Sequence, residues 1–336
     1  MPASPRHFLS TAPLSQAQIQ ALLDDARALK AAPRQDRLAG KTAAFVFFNP
    51  SLRTRTSFQI GFSQLGGTPV VLDAAGTWPI EVTEGAVMDG APEEHAKEAA
   101  RVLSRYVDLI GIRAFPKFED WQTEREDPLL SAFAKHATVP VVNMETIVHP
   151  CQELAMLMAL QDAHGDLGRK KVVLTWTYHP KPLNTAVMNS GLLATTKMGM
   201  DVTLLIPSEA YALDPMFMEQ GRAFADGNGS TLTVTTDIDE AYRGADAVYA
   251  KSWGRLDQIG LPMEERLTPD AFRHFIVDET KMALTNDATF SHCLPMRRNV
   301  KATDGVADGP RSLIIEEAEN RLHVQKAVMS KLLEAA

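Results

Sequence analysis

Two cysteines in 336 residues, Cys151 and Cys293, are too few for a disulfide framework or a four-cysteine zinc site. The nine histidines are scattered without metal-ligand spacing, and no HExxH occurs. Metal chemistry is therefore not expected. No uninterrupted apolar run of about 18 residues is present to span a bilayer. The opening MPASPRHFLS has no apolar core and no cleavage-like site, so it does not read as a signal peptide. A reducing cytoplasm is the expected setting, with no membrane partner. Basic residues are outnumbered 34 to 42, for a formal net charge of -8. That argues against a nucleic-acid binder but says nothing against a small anion held by a few local arginines.

Nucleotide-binding signatures are missing as well. Gly40-Lys41-Thr42 resembles the end of a P-loop, yet Gln35 stands where its first glycine belongs and a strand follows instead of a helix. Gly227-Asn228-Gly229 also precedes a strand, which is not the dinucleotide arrangement. No GxSxG nucleophile elbow is found. There is no repeat, low-complexity tract or long charged block.

What is present is an alternation of apolar, β-branched runs with amphipathic helical stretches. Strands are expected at 42–48, 69–72, 108–113, 140–144, 171–176, 201–206, 231–235, 247–251 and 275–277. Helices are expected near 15–31, 55–65, 94–106, 129–135, 150–163, 184–198, 215–224, 238–243, 269–274 and 316–333. This pattern implies an α/β fold with mostly parallel sheets flanked by helices. At roughly 150 residues per domain the length suggests two. The boundary is placed near Pro150, giving domains 1–149 and 150–336, with the last helix packing back on the first. The Gly-rich stretch from Ala74 to Ala91 is weakly patterned and reads as a long loop.

Three segments carry chemistry. In Phe47-Phe48-Asn49-Pro50-Ser51-Leu52-Arg53-Thr54-Arg55 a buried strand ends, Pro50 forces a turn, and hydroxyls and guanidiniums crowd a helix start. Free N–H groups and the positive end of the helix dipole favour an anion there, and Arg53 adds a planar fork that matches phosphate. A Ser N-cap with solvated arginines is the plainer alternative. His149-Pro150-Cys151-Gln152 again joins a strand to a helix. Pro150 suits a first helical turn, while an imidazole and a carboxamide sit where parallel sheets bind ligands. Arg113 follows another strand, so Arg53, Arg113, His149 and Gln152 could surround one small anion bearing a carbonyl. The third segment is His292-Cys293-Leu294-Pro295-Met296-Arg297-Arg298, with Lys301 after it. Cys293 reads more naturally as a small buried hydrophobe than as a nucleophile.

These segments, in this order, resemble the aspartate and ornithine transcarbamylase family over essentially the whole chain. Two features differ from the ornithine enzymes: Cys151 where threonine is usual in H-P-x-Q, and Lys251-Ser252-Trp253-Gly254 where a Ser-Met-Gly segment grips the amino acid. Trp78-Pro79-Ile80-Glu81, Asn143-Met144-Glu145-Thr146, Thr175–Pro182 and Lys251-Ser252-Trp253 are similar to the branch that uses N-acetylornithine. A loop that no longer binds a free α-amine makes sense when the α-nitrogen is acylated and uncharged.

The resemblance implies a transferase moving the carbamoyl group of carbamoyl phosphate to the δ-amine of N-acetyl-L-ornithine, in arginine biosynthesis and without a cofactor. N-succinyl-L-ornithine, L-ornithine, or a catalytically silent carbamoyl phosphate-binding homologue remain alternatives. It further implies carbamoyl phosphate on Ser51, Leu52, Arg53, Thr54, Trp78, Arg113, His149, Pro150, Cys151, Gln152, Cys293, Leu294 and Arg321. Arg113, His149, Gln152 and Cys293 would be catalytic, and Glu145, Lys251 and Leu294 would contact acetylornithine. Trp78 would act across the subunit interface of a homotrimer. Glu93 would select acetyl over succinyl, since a carboxylate repels a second carboxylate, although Pro92 one position earlier leaves the alignment of that loop open. Lys301 matches a lysine that carbon dioxide can carboxylate. Taken on their own, Glu93 and Lys301 read as solvated side chains in polar stretches, and Arg321 as part of a solvated helix face.

Overall fold

The computed structural model describes residues 7–74 and 79–334. The chain divides into two compact units, Met1–Cys151 with Arg321–Ala336, and Gln152–Asn320.

The first unit begins with α1 (Gln16–Ala31), which starts at Ser15 in a capping box with Gln18. Then follow β1 (Thr42–Phe47), α2 (Arg53–Gln64), β2 (Thr68–Asp73), the two-residue strands β3 (Ile80–Glu81) and β4 (Glu94–His95), α3 (Ala96–Tyr106) and β5 (Leu109–Arg113). Next come α4 (Trp121–Glu124), α5 (Pro128–His136), β6 (Val141–Glu145) and the start of α6 (Pro150–His164). The main sheet has the order β2-β1-β5-β6, all parallel. Parallel strands covered on both faces read as continuous apolar runs. On one face of β1, Phe45 packs against Phe58 and Phe62 of α2 at centroid distances of 5.3 and 6.0 Å. On the other, Val46 joins Ile110, Ile112, Leu130, Phe133 and Val141. Gly111 lets the central strands pack this closely: a Cβ there would meet Phe45 at 2.7 Å and the Met144 sulfur at 3.0 Å.

The second unit continues with β7 (Lys171–Trp176), α7 (Ala186–Lys197), β8 (Asp201–Leu205), α8 (Pro215–Asn228), β9 (Leu232–Thr235), α9 (Ile238–Tyr242) and β10 (Ala247–Lys251). It ends through α10 (Glu279–Met282), β11 (Thr289–Ser291), α11 (Asp304–Ala307) and the start of α12 (Ile314–Glu334). Its sheet has the order β11-β10-β7-β8-β9, again all parallel. Trp176, Tyr211, Phe272 and Phe275 form an edge-to-face aromatic cluster beside β7. No helix among the described residues is long and apolar enough to cross a membrane.

One expected strand is corrected. Phe275–Val277 is not in the sheet; Asp270–Phe275 is a 3-10 helix, and only Val277 makes an isolated bridge, to Ala302. The edge strand beside β10 is Thr289–Ser291. Phe275 and Val277 are apolar because they are buried, and a short buried run has no period that separates strand from helix. The helix expected near 269–274 is that same 3-10 segment. Of the expected loop from Ala74 to Ala91, residues 75–78 lie outside the described residues; from Pro79 onward it is irregular except for β3, and the parallel β3–β4 pairing ties it to the entry of α3.

Candidate active site

In the first sheet the chain leaves β1 for β2 in one direction and β5 for β6 in the other, so the strand order reverses between β1 and β5. Ligands of open α/β sheets bind at the carboxyl ends flanking such a reversal. The turn Phe48–Leu52 follows β1 and opens α2, and Arg113 ends β5. The two ends are stitched together: Phe48 N–H donates to the Arg113 carbonyl at 2.9 Å, and Phe115 N–H donates to Asn49 Oδ1 at 2.6 Å. Within the turn, Thr54 N–H donates to Ser51 Oγ at 3.1 Å. Leu52, the residue before α2, is largely exposed at 76%. Arg55 is turned away, paired with Asp73 and lying over the Phe47 ring.

Thr54 is the hub. Its side chain is buried, and its Oγ1 accepts from Arg113 Nη1 at 3.2 Å and from Arg321 Nη2 at 2.6 Å. Arg321 is therefore buried and not on a solvated face. Its helix reaches this hub from the far end of the chain. Arg113 also pairs with Glu145, whose Oε2 lies 3.4 Å from His149 Nε2. A register shift between β5 and β6 at Ile112/Arg113 sets Arg113 opposite Glu145, the re-aiming that a β-bulge produces. His149 is buried at the entry to α6. Thr54, Arg113, Glu145, His149 and Arg321 thus form one cluster: Arg113 and His149 face the Glu145 carboxylate, and Arg321 joins through Thr54. Such a cluster can hold a dianion and polarise a carbonyl.

In the second sheet the order reverses between β7 and β10. The ends of these strands are laced together: Thr177 N–H donates to the Lys251 carbonyl at 2.9 Å, and Trp176 Nε1 to the Trp253 carbonyl at 2.9 Å. Gly254 permits this closeness, since a Cβ there would stand 2.4 Å from Pro182 Cβ. Around these ends sit Lys251, Cys293, Arg297 and Lys301. Lys301 is 2% exposed, which corrects the solvated reading. Burial, then the charge of Lys251, pushes its amine down to about 7, with Cys293 opposing and Arg297 adding to the shift. His179 is held down to about 4, first by burial; its hydrogen bond to Lys181 opposes this, and the charges of Lys301, Arg297 and Lys251 add to it. Cys293 is buried, and Leu294 takes a positive φ of 53° as its N–H donates to His292 Nδ1 at 2.8 Å.

Gln152 is also buried, and its Nε2 donates to Glu317. Cys151 is wholly buried beside it, and Pro150 opens α6. Glu93 is exposed just before β4. Trp78 lies outside the described residues. Two buried charged residues had no signal in the sequence, Glu317 and Lys326. Lys326 Nζ donates to the Leu29 and Pro33 carbonyls and to Gln64 Oε1 at 3.0–3.2 Å, fastening α12 to the ends of α1 and α2. Both sit in a helix whose charged residues look solvated when only their spacing is known.

Comparison with known proteins agrees with this architecture. The family model for the carbamoyl-P binding domain of aspartate/ornithine carbamoyltransferase matches residues 6–162, and that for the Asp/Orn binding domain matches 178–332. The chain is 59% identical over 331 residues to N-acetylornithine carbamoyltransferase of Xanthomonas campestris pv. campestris, covering 98% of each protein. It is 38% identical over 298 residues to N-succinylornithine carbamoyltransferase of Bacteroides fragilis, covering 88% of each. A crystal structure of acetylornithine transcarbamylase complexed with acetylcitrulline superposes with a TM-score of 0.94 at 58% identity, covering 97% of this chain and 99% of that one. With both domain models matched in order and this identity over nearly its full length, the chain belongs to the aspartate/ornithine carbamoyltransferase family.

Proposed function

We propose that the protein transfers the carbamoyl group of carbamoyl phosphate to the δ-amine of N-acetyl-L-ornithine, giving N-acetyl-L-citrulline and phosphate. The observation that carries this reading is the cluster of Thr54, Arg113, His149 and Arg321 beside the Ser51–Thr54 turn. Identity favours the acetyl substrate: 59% to a relative of that name against 38% to one named for succinylornithine.

On this reading the phosphate rests on Ser51, Leu52, Arg53 and Thr54, with Trp78 completing the site from a neighbouring subunit of a homotrimer. Arg113, His149 and Gln152 hold the carbamoyl group, and Pro150 and Cys151 fix the turn that carries them. The neutral amine attacks the carbamoyl carbon, since an ammonium is a poor nucleophile. The carbonyl oxygen gains negative charge, stabilised by Arg113 and His149. The C–O bond to phosphate then breaks, the electron pair leaves with phosphate, and the amine's second proton goes to that phosphate. Lys251, Glu145, Leu294 and Cys293 receive the acetylornithine and its attacking nitrogen. Holding the two reactants together supplies much of the acceleration, in a cytoplasmic enzyme of arginine biosynthesis.

Two further assignments belong to this reading. Glu93 excludes a succinyl carboxylate by repulsion, and the acidic product of Lys301 and carbon dioxide relieves the excess positive charge beside Lys251 and Arg297. A buried amine titrating near neutrality supplies the unprotonated nitrogen that such an addition requires.

The test is incubation with carbamoyl phosphate and, separately, ornithine, N-acetylornithine and N-succinylornithine, with products read by mass spectrometry. Acetylcitrulline alone is expected; succinylcitrulline or citrulline would move the substrate, and no product would favour a silent homologue. Glu93→Pro is expected to shift preference toward succinylornithine, and a variant that stays strictly acetyl-specific removes Glu93 from the selector role.

A further inference from the structure

We propose that Glu317 is a positioning residue that sets the side-chain amide of Gln152, so that Gln152 Oε1 is offered to an N–H donor on the ligand. The inference rests on the reading above, which makes that donor the carbamoyl nitrogen.

Glu317 is wholly buried, and three donors converge on its carboxylate: Gln152 Nε2, the Tyr249 hydroxyl at 3.0 Å and Ser291 Oγ. Tyr249 and Ser291 are register partners across β10 and β11, so the sheet itself fixes two of these donors. A carboxylate accepts and does not donate. The carboxamide of Gln152 must therefore turn its NH2 toward Glu317, because the reverse orientation would set two acceptors against each other. The consequence falls on the other end of the amide. Gln152 is 2% exposed, and its Oε1 is buried with no hydrogen-bond partner among the described residues. An unsatisfied buried acceptor costs about 1–3 kcal/mol, which a ligand N–H donor recovers. Carbamoyl phosphate has such a donor and inorganic phosphate has none. Glu317 thus converts an ambiguous amide into a dedicated acceptor.

The experiment is titration calorimetry on the full-length protein with carbamoyl phosphate and with inorganic phosphate, for wild type, Glu317→Gln, Gln152→Met and the double variant. Glu317→Gln lets the Gln152 amide turn over, and it is expected to weaken carbamoyl phosphate binding by about 10-fold, the loss of one oriented hydrogen bond, leaving phosphate affinity unchanged. In the Gln152→Met background the same substitution is expected to add nothing, the signature of a residue acting through its neighbour. Parallel weakening of both ligands, or a penalty that persists without Gln152, overturns the proposal in favour of a structural role. If Glu317→Gln does not fold, Tyr249→Phe removes one of the three donors and reads the same ratio. A smaller loss confined to carbamoyl phosphate supports the proposal, and an unmoved ratio overturns it. Wild-type protein that ignores carbamoyl phosphate overturns the site reading along with it, whereas wild-type binding with no effect of Glu317→Gln overturns this proposal alone.

Discussion

The two units solve the same problem, holding cations at a strand-order reversal, in opposite ways. In the first, Arg113 is paired with Glu145, which also faces His149, and Thr54 accepts from Arg113 and Arg321. The cations there have a counter-charge before any ligand arrives. In the second, burial first, and after it the charges of Lys251 and Arg297, pushes Lys301 toward its neutral form, and burial with the charges of Lys301, Arg297 and Lys251 does the same to His179. A paired cluster is pre-organised around its counter-charge; a group of like charges with no salt-bridge carboxylate among the described residues is not, and the carbamate proposed at Lys301 would supply one. The difference teaches that the first unit balances its cations with a side chain already in place, while the second buries its lysine at a cost.

The most direct way to break the contrast is to take the counter-charge from the first unit. Removing one partner of a buried pair leaves the other charged and unmatched, a loss of about 3–5 kcal/mol. The Arg113 and Glu145 side chains are only 8% and 12% exposed. Glu145→Ala is therefore expected to lower the unfolding free energy extrapolated from urea titration by that amount while raising affinity for inorganic phosphate at low salt. A stable variant with unchanged phosphate affinity would mean that the pair is not what organises the cluster. Next in size is Arg53→Ala, which removes a charge-assisted donor from the phosphate turn without touching the pair. Carbamoyl phosphate binding should fall by about 100-fold with the melting temperature preserved, and unchanged binding would take Arg53 out of the phosphate site.

How far this contrast could be read in advance depends on where the determinants lie in the chain. The strand–turn–helix segment proposed for phosphate was legible as structure because all of its parts, the end of β1, Pro50, Ser51 and the start of α2, are contiguous. The parallel α/β architecture was legible because strands covered on both faces leave unbroken apolar runs such as Thr42–Phe47. Long-range partners were not. Arg321 meets Thr54 across 267 positions, and nothing near either residue announces it; only the family resemblance pointed there. Lys301 and Glu317 look solvated because their sequence neighbours are polar, and burial of a charge among polar neighbours has no local signature. Phe275–Val277 failed for the converse reason, an apolar run outside the sheet in which Phe275 packs against Trp176 and Val277 bridges to Ala302. Glu317, which we give the positioning role, needed the side-chain geometry to be noticed at all.

The smallest expected effect sharpens the comparison from the second unit. In an unfolded chain Lys301 titrates near 10.5, and in the folded protein near 7. Below about pH 7 both states carry the proton, so folding bears the full cost of burying an ammonium beside Lys251 and Arg297. Between 7 and 10.5 the folded state has released its proton while the unfolded state has kept it. The unfolded state then binds more protons, and stability rises with pH through that window. Lys301→Met keeps an unbranched stem and deletes the charge. Its melting temperature should exceed that of wild type by about 1.5 °C at pH 6, if about 1 kcal/mol of the burial cost is realised, and the gap should close as pH approaches 10. The scans belong in carbon dioxide-free buffer, because carboxylation would give Lys301 a negative charge. Added bicarbonate should then narrow the gap at pH 8 for wild type and do nothing to the variant. A gain independent of pH would mean that Lys301 is not the proton-binding group, and the cations of the second unit would then be balanced by some neighbour other than a carbamate.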